Sequence, residues 1–269
     1  MDYKRLTQVL RWNTTAYRGE LSRFFGQGVA AFGILTLATN ASNWFCQEST
    51  QGSIYSEAKF CGICIIIMLF VSAANVCFNM KTKTDRISYS MLPATKLEKF
   101  LANVIYQSVV VLVLAFAGLI AVDIVQAVIS LLTTHEAYSL TWAVLKTSAN
   151  FDDGNPSSRM IVIGFGLPLM LHATYVLGGT FFRKHNFLYT SIIIVTVPFV
   201  LSLIIGGITA GIMGLTYYHG YEVEMEWLLS EGWTTVLIAV LFIAVSALFY
   251  WMAYHCFRRI NVINNKNHN

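Results

Sequence analysis

Six long apolar runs punctuate this chain, at Phe25 to Thr39, Phe60 to Asn79, Leu101 to Leu132, Met160 to Phe182, Phe187 to Tyr217 and Trp233 to Phe257. A helix needs about 20 mostly apolar residues to cross the hydrocarbon core of a bilayer, so the pattern predicts six transmembrane helices. The first run is short unless its helix begins near Ser22 or ends beyond Asn43. The third and fifth have residues to spare for tilt, a kink or an interfacial turn. Ahead of the first run, residues 1–24 show helical spacing. Leu6, Leu10, Tyr17, Leu21 and Phe24 fall near one stripe, with Arg11, Arg18 and Glu20 mostly off it. That spacing predicts an amphipathic helix lying in the membrane interface. No short apolar segment with a small-residue cleavage site precedes the first span, so the lead does not read as a secretory signal. The expected fold class is all-α: a polytopic integral membrane protein with an N-terminal interfacial helix (1–24), a six-span domain (25–257) and a tail (258–269).

Composition agrees. Only 12% of the 269 residues are charged and 56% are hydrophobic, against roughly 25% charged in soluble domains. Most of the chain lies in spans, which leaves no length for a separate soluble domain. Charge then sets the orientation. Fifteen of the eighteen Lys and Arg residues fall in the N-terminal lead, the second connection, the fourth connection and the tail, all on one side of a six-span topology. Nine of the fourteen Asp and Glu residues fall on the other side: Glu48, Glu57, Glu136, Asp152, Asp153, Glu222, Glu224, Glu226 and Glu231. The positive-inside bias makes the basic side, with both termini, cytoplasmic. The net charge of +4 averages two unlike faces and does not point to nucleic acid as a partner.

Candidate chemistry is sparse. Cys61 and Cys64 form a CxxC, but no second pair or His at zinc spacing accompanies it, so buried packing thiols are expected and no metal site. There is no GxxxxGK[ST], HExxH or GxSxG; no catalytic residue and no cofactor is read, and ATP has no P-loop here. Asp123 near the outer end of the third span and His172 midway along the fourth are the intramembrane polar candidates, since ionisable groups at that depth face a cavity or a partner. Asp123 is expected to reach the outer interface and His172 to bond a neighbouring helix; a proton relay between them is the alternative. Pro168 and Pro198 predict kinks. Gly207 and Gly211 form a GxxxG beside Gly206 and Gly214, a device for close helix approach within the chain or across a dimer seam, or else a mobile hinge. Asn75, Asn79 and Gln107 sit where they can hydrogen-bond across helices near the second connection.

That connection, Lys81 to Phe100, carries the densest local signals. Arg86 to Leu92 mixes polar and apolar residues with Ile87 and Met91 four apart, which predicts a short helix. Pro93 ends or turns it. Thr95 followed three residues later by Glu98 is a capping box, so the third span is expected to begin at Lys96. A short helix, a sharp turn and a rigid re-entry suit a loop that takes a push from a partner.

The stretch Ile87-Ser-Tyr-Ser-Met-Leu-Pro-Ala-Thr-Lys-Leu-Glu-Lys-Phe100 resembles the LPAS-x-x-EKF segment of small membrane proteins from Bacteroidota, which are similar to ABC-2 type permease subunits of ABC transporters. Thr95 replaces the Ser and keeps the cap chemistry. The resemblance rests on about a dozen residues and on the wider plan of interfacial helix, six spans and helical second connection. It implies a bacterial inner-membrane exporter subunit that works with an ABC ATPase subunit and a second permease copy or paralogue. It also implies that the loop is a coupling helix, with Arg86, Ile87, Tyr89, Met91 and Leu92 as the docking surface. Lys4, Arg5 and Arg11 would assist through charge or through anionic membrane lipid. The class often has re-entrant helices between its last two spans; here Tyr218 to Gly232 is acidic, with a short interfacial helix expected around Glu224 to Leu229. Two other readings stay open: a non-transporting membrane sensor or assembly factor using the same loop, and a proton-coupled carrier or intramembrane enzyme using Asp123 and His172.

Overall fold

A computed structural model describes residues 3–46, 50–80, 82–134, 139–149, 158–182, 184–219 and 231–259, and these form ten α-helices and no strand. Six helical segments are long and apolar enough to cross a membrane. They lie in α2 (Arg18–Cys46), in α3 (Thr50–Ala74) with the turn that follows it, and in α5 (Lys96–Ile105) running on into α6 (Val111–Thr134). The others are α8 (Ser158–Phe181), α9 (Asn186–His219) and α10 (Glu231–Arg259). Shorter helices are α1 (Tyr3–Ala16), α4 (Lys83–Ser90) and α7 (Leu140–Ala149). The expected helix around Glu224 to Leu229 lies outside the described residues.

Several boundaries differ from the apolar runs. The N-terminal helix breaks at Tyr17, so Leu21 and Phe24 belong to the first span. Its apolar stripe (Leu6, Val9, Leu10, Trp12) packs against the bundle next to α5. The second span extends back through Glu57, which is only 2% exposed; it is a buried carboxylate on α3 and not an outer-loop residue. Helix α7, between the third and fourth spans, packs on α3 and α6. The third span starts at Lys96, as its capping box dictates. It carries one turn of π-helix at Tyr106–Val110; such an inserted residue re-aims side chains and recurs at functional sites. Helices α8 and α9 run on through Pro168 and Pro198.

Two cores result. One, at the basic end, gathers Val9, Ala73, Tyr89, Phe100, Tyr175 and Phe257. The other, at the α7 end, gathers Phe32, Cys61, Leu119, Leu140 and Val144. Hydroxyls inside spans fold back onto their own helix, as Thr36 does onto the Phe32 carbonyl at 2.9 Å and Thr174 onto Met170 at 2.8 Å; in hydrocarbon no water would satisfy them.

Helix α8 is central, lying against α3, α9 and α10. Two glycines permit this. A Cβ on Gly179 would strike the Ala74 carbonyl of α3, and one on Gly178 would strike Thr190 of α9. By contrast, none of the described residues approaches Gly206, Gly207 or Gly211. Every residue from Val195 to Gly211 is exposed, so the GxxxG packs against none of the described residues.

Candidate functional site

The second connection is built from two capped helices. Thr82 accepts the Asp85 amide at 3.1 Å while Asp85 reaches back to the Thr82 amide at 3.4 Å, a capping box that starts α4. Thr95 and Glu98 repeat the arrangement at the start of α5, at 3.3 and 2.9 Å. Each box satisfies amides that the first turn of a helix leaves without partners. Between them, Pro93 turns the chain. The helix thus covers Lys83–Ser90, three residues earlier at its start than the pattern Arg86 to Leu92 suggests.

The expected docking residues divide into two sets. Met91 is 77% exposed, and Arg86 and Ile87 are half-buried at the surface of α4. Leu92 is half-buried against the basic-end core. Tyr89 is 1% exposed and is not available to a partner. Its hydroxyl lies 2.8 Å from Asn103 Oδ1 and 3.0 Å from the Lys99 carbonyl, and burial pushes its pKa up, which holds it protonated as a donor.

Asn103 Oδ1 is the centre of a buried knot. Besides the Tyr89 hydroxyl it accepts Asn13 Nδ2 at 3.1 Å and Asn79 Nδ2 at 3.0 Å. Asn79 also donates to Asn13 Oδ1 at 2.9 Å. All three asparagines are fully buried. The knot therefore joins α1, the end of the second span, α4 and α5 at one point. Asn79 Oδ1 and Asn103 Nδ2 have no hydrogen-bond partner among the described residues. Two lysines fasten the same region. Lys99 Nζ donates to the Ser90 carbonyl at 3.0 Å, closing the end of α4, and lies 5.7 Å from the Tyr89 ring centroid. Lys96 Nζ donates to the Arg258 carbonyl at the end of α10, at 2.9 Å. Cations suit these helix C-termini, where carbonyls accumulate negative charge.

Of the polar residues expected to pair near this connection, Asn79 enters the knot. Gln107 accepts from Ser72 Oγ at 2.6 Å and donates to the Asn75 carbonyl at 3.4 Å. Asn13 and Asn103 were not anticipated. The available signal was Asn13 sitting on the apolar stripe of α1, three and four residues beyond Leu10 and Val9, where a solvated side chain does not belong. Lys4, Arg5 and Arg11 are exposed on α1.

Asp123 and His172 do not meet by any hydrogen bond among the described residues. Asp123 caps α7: Oδ1 accepts the Leu140 amide at 2.6 Å, and Oδ2 accepts Ser139 Oγ at 2.8 Å and the Thr141 amide at 3.1 Å. His172 bonds Ser108 of the π turn through Nε2 at 2.8 Å and Tyr250 of α10 through Nδ1 at 2.7 Å. One carboxylate and one imidazole thus act as separate fasteners. Glu57 is held by Thr39 Oγ1 at 2.9 Å. Among the described residues the cysteines Cys61, Cys64, Cys77 and Cys256 are free, and no group of three or more His, Cys, Asp or Glu could hold a metal ion.

No family model, no curated protein and no solved structure matches this chain.

Proposed function

We propose that the chain is the permease subunit of an ABC-type exporter in a bacterial inner membrane, with both termini cytoplasmic. ATP would be bound and hydrolysed on a separate ABC ATPase subunit that docks on the loop 81–100. The observation that carries this reading is the two-sided build of α4. Its outer side offers Met91, Arg86 and Ile87, while its inner side is pinned through Tyr89 and Lys99 to α5. A plain linker needs neither paired capping boxes nor a buried tyrosine. A push on α4 passes through rigid contacts into α1, the end of the second span and the start of the third. Tyr89 serves as the anchor of the loop, and the docking surface contracts to Arg86, Ile87, Met91 and the edge of Leu92. The exposed stretch of α9 from Val195 to Gly211, with its unused glycines, supplies a surface for the second permease copy.

The test is to isolate the tagged full-length chain from its native membrane in mild detergent and measure co-purifying ATP hydrolysis. Met91→Asp is expected to lower that activity by about tenfold or more, because a charge placed at a buried contact is costly, and to leave the unfolding temperature unchanged. Wild-type protein without ATPase activity, or an activity indifferent to Met91→Asp, refutes the reading.

A further inference from the structure

A half-open cavity of about 270 Å³ lies at the basic end of the bundle, between the first turns of α2, the end of the second span and the π turn of the third. Its lining is unusual for a membrane-spanning bundle. Glu20, Arg23 and Gln27 come from one face of α2, and Asn75 and Phe78 from the facing end of the second span, with Phe24 at the side. Gln107 of the π turn closes the floor and is already committed to Ser72 and Asn75. Phe78 is held rigidly, stacked on Tyr106 at 5.3 Å and met edge-on by Tyr17 at 4.6 Å.

Glu20 and Arg23 are three residues apart, so their Cβ atoms stand about 5–6 Å from each other on one helix face. They do not pair with each other, and Arg23 makes no hydrogen bond or ion pair among the described residues. The cavity therefore presents an available cation and an available anion side by side. A ligand bearing only a phosphate would be opposed by Glu20, and one bearing only an amine would be opposed by Arg23. A ligand bearing both, a few ångströms apart, is favoured by each. We infer that this cavity binds the headgroup of an ethanolamine phospholipid, with the phosphate on Arg23 and the ammonium on Glu20.

Three observations favour that ligand. The guanidinium fork suits phosphate oxygens, and an ammonium with its hydrogens intact can donate to a carboxylate, as a choline cannot. A phosphoethanolamine headgroup is small enough to enter a cavity of about 270 Å³. The mouth also lies on a membrane-spanning helix, where Arg23 and Gln27 are exposed. That places it at headgroup depth rather than in free solution.

The experiment uses the full-length chain in detergent, titrated with dioctanoyl phosphatidylethanolamine, phosphatidylglycerol and phosphatidylcholine, and with glycerophosphoethanolamine, which has no acyl chains. The ethanolamine lipid is expected to bind about tenfold tighter than the other two lipids, the scale of one charge-assisted hydrogen bond. Glu20→Gln and Arg23→Gln should each remove that preference. In the wild type alone, successive N-methylation of the headgroup should lower affinity stepwise, a readout that needs no variant. Equal binding of the three lipids, a preference untouched by both variants, or a flat methylation series overturns the assignment. Glycerophosphoethanolamine binding as tightly as the lipid would make the ligand a soluble zwitterion and overturn its lipid source.

Discussion

Replacing Asn103 with leucine removes the acceptor on which α1, α4 and the second span converge. Three donors lose it: Asn13 Nδ2, Asn79 Nδ2 and the Tyr89 hydroxyl. Their losses are unequal. Asn79 keeps Asn13 Oδ1 at 2.9 Å, and Tyr89 keeps the Lys99 carbonyl at 3.0 Å. Asn13 Nδ2 is left buried and unpaired, which costs about 1–3 kcal/mol, and the two weakened bonds add about 1 kcal/mol each. Against this, the unpartnered Asn103 Nδ2 disappears, which returns about 1 kcal/mol. The net destabilisation is then about 2–4 kcal/mol. Tyr89→Phe should cost only about 1 kcal/mol, since Asn103 Oδ1 retains two amide donors. Unfolding in mixed micelles, followed by far-UV circular dichroism, measures both variants. If Asn103→Leu proves neutral, or Tyr89→Phe costs as much, the helices are held there by packing and not by the amide knot.

Glycines give a second contrast: Gly179→Leu, aimed at the Ala74 carbonyl, should destabilise the chain by about 1–3 kcal/mol or more, while Gly207→Leu, facing open space, should change single-chain unfolding by about 0.5 kcal/mol or less. At alkaline pH, burial and then the charges of Asp85 and Glu20 push the Tyr17 phenol from 10.0 up to about 12. The folded chain therefore holds the Tyr17 proton more tightly than the unfolded chain. The associated stability is present below pH 10 and is lost as pH rises through about 12. Tyr17→Phe should flatten that part of the pH–stability curve; an unchanged slope would count against it.

Much of the architecture was legible in the order of residues. The six spans follow from the length of apolar run that a bilayer demands, and the start of the third at Lys96 follows from Thr95 and Glu98, a device contained in four successive residues. What the apolar pattern marks is an apolar helix surface, and it marks that equally whether the surface is exposed or packed against another helix. It therefore left undecided which glycines touch: the conspicuous Gly207 and Gly211 stay bare, while Gly178 and Gly179 bring α8 onto its neighbours. It put Glu57 in a loop, because a lone carboxylate looks like a span boundary until Thr39 is seen beside it on another helix. It offered Tyr89 to a partner, because helical spacing gives a face but not the direction of that face. Only the meeting of Asn13, Asn79 and Asn103, far apart in sequence, turned Tyr89 inward. Local chemistry such as caps and run lengths is written in neighbouring residues, whereas polar pairing between helices is set by side chains that approach only once the bundle has formed.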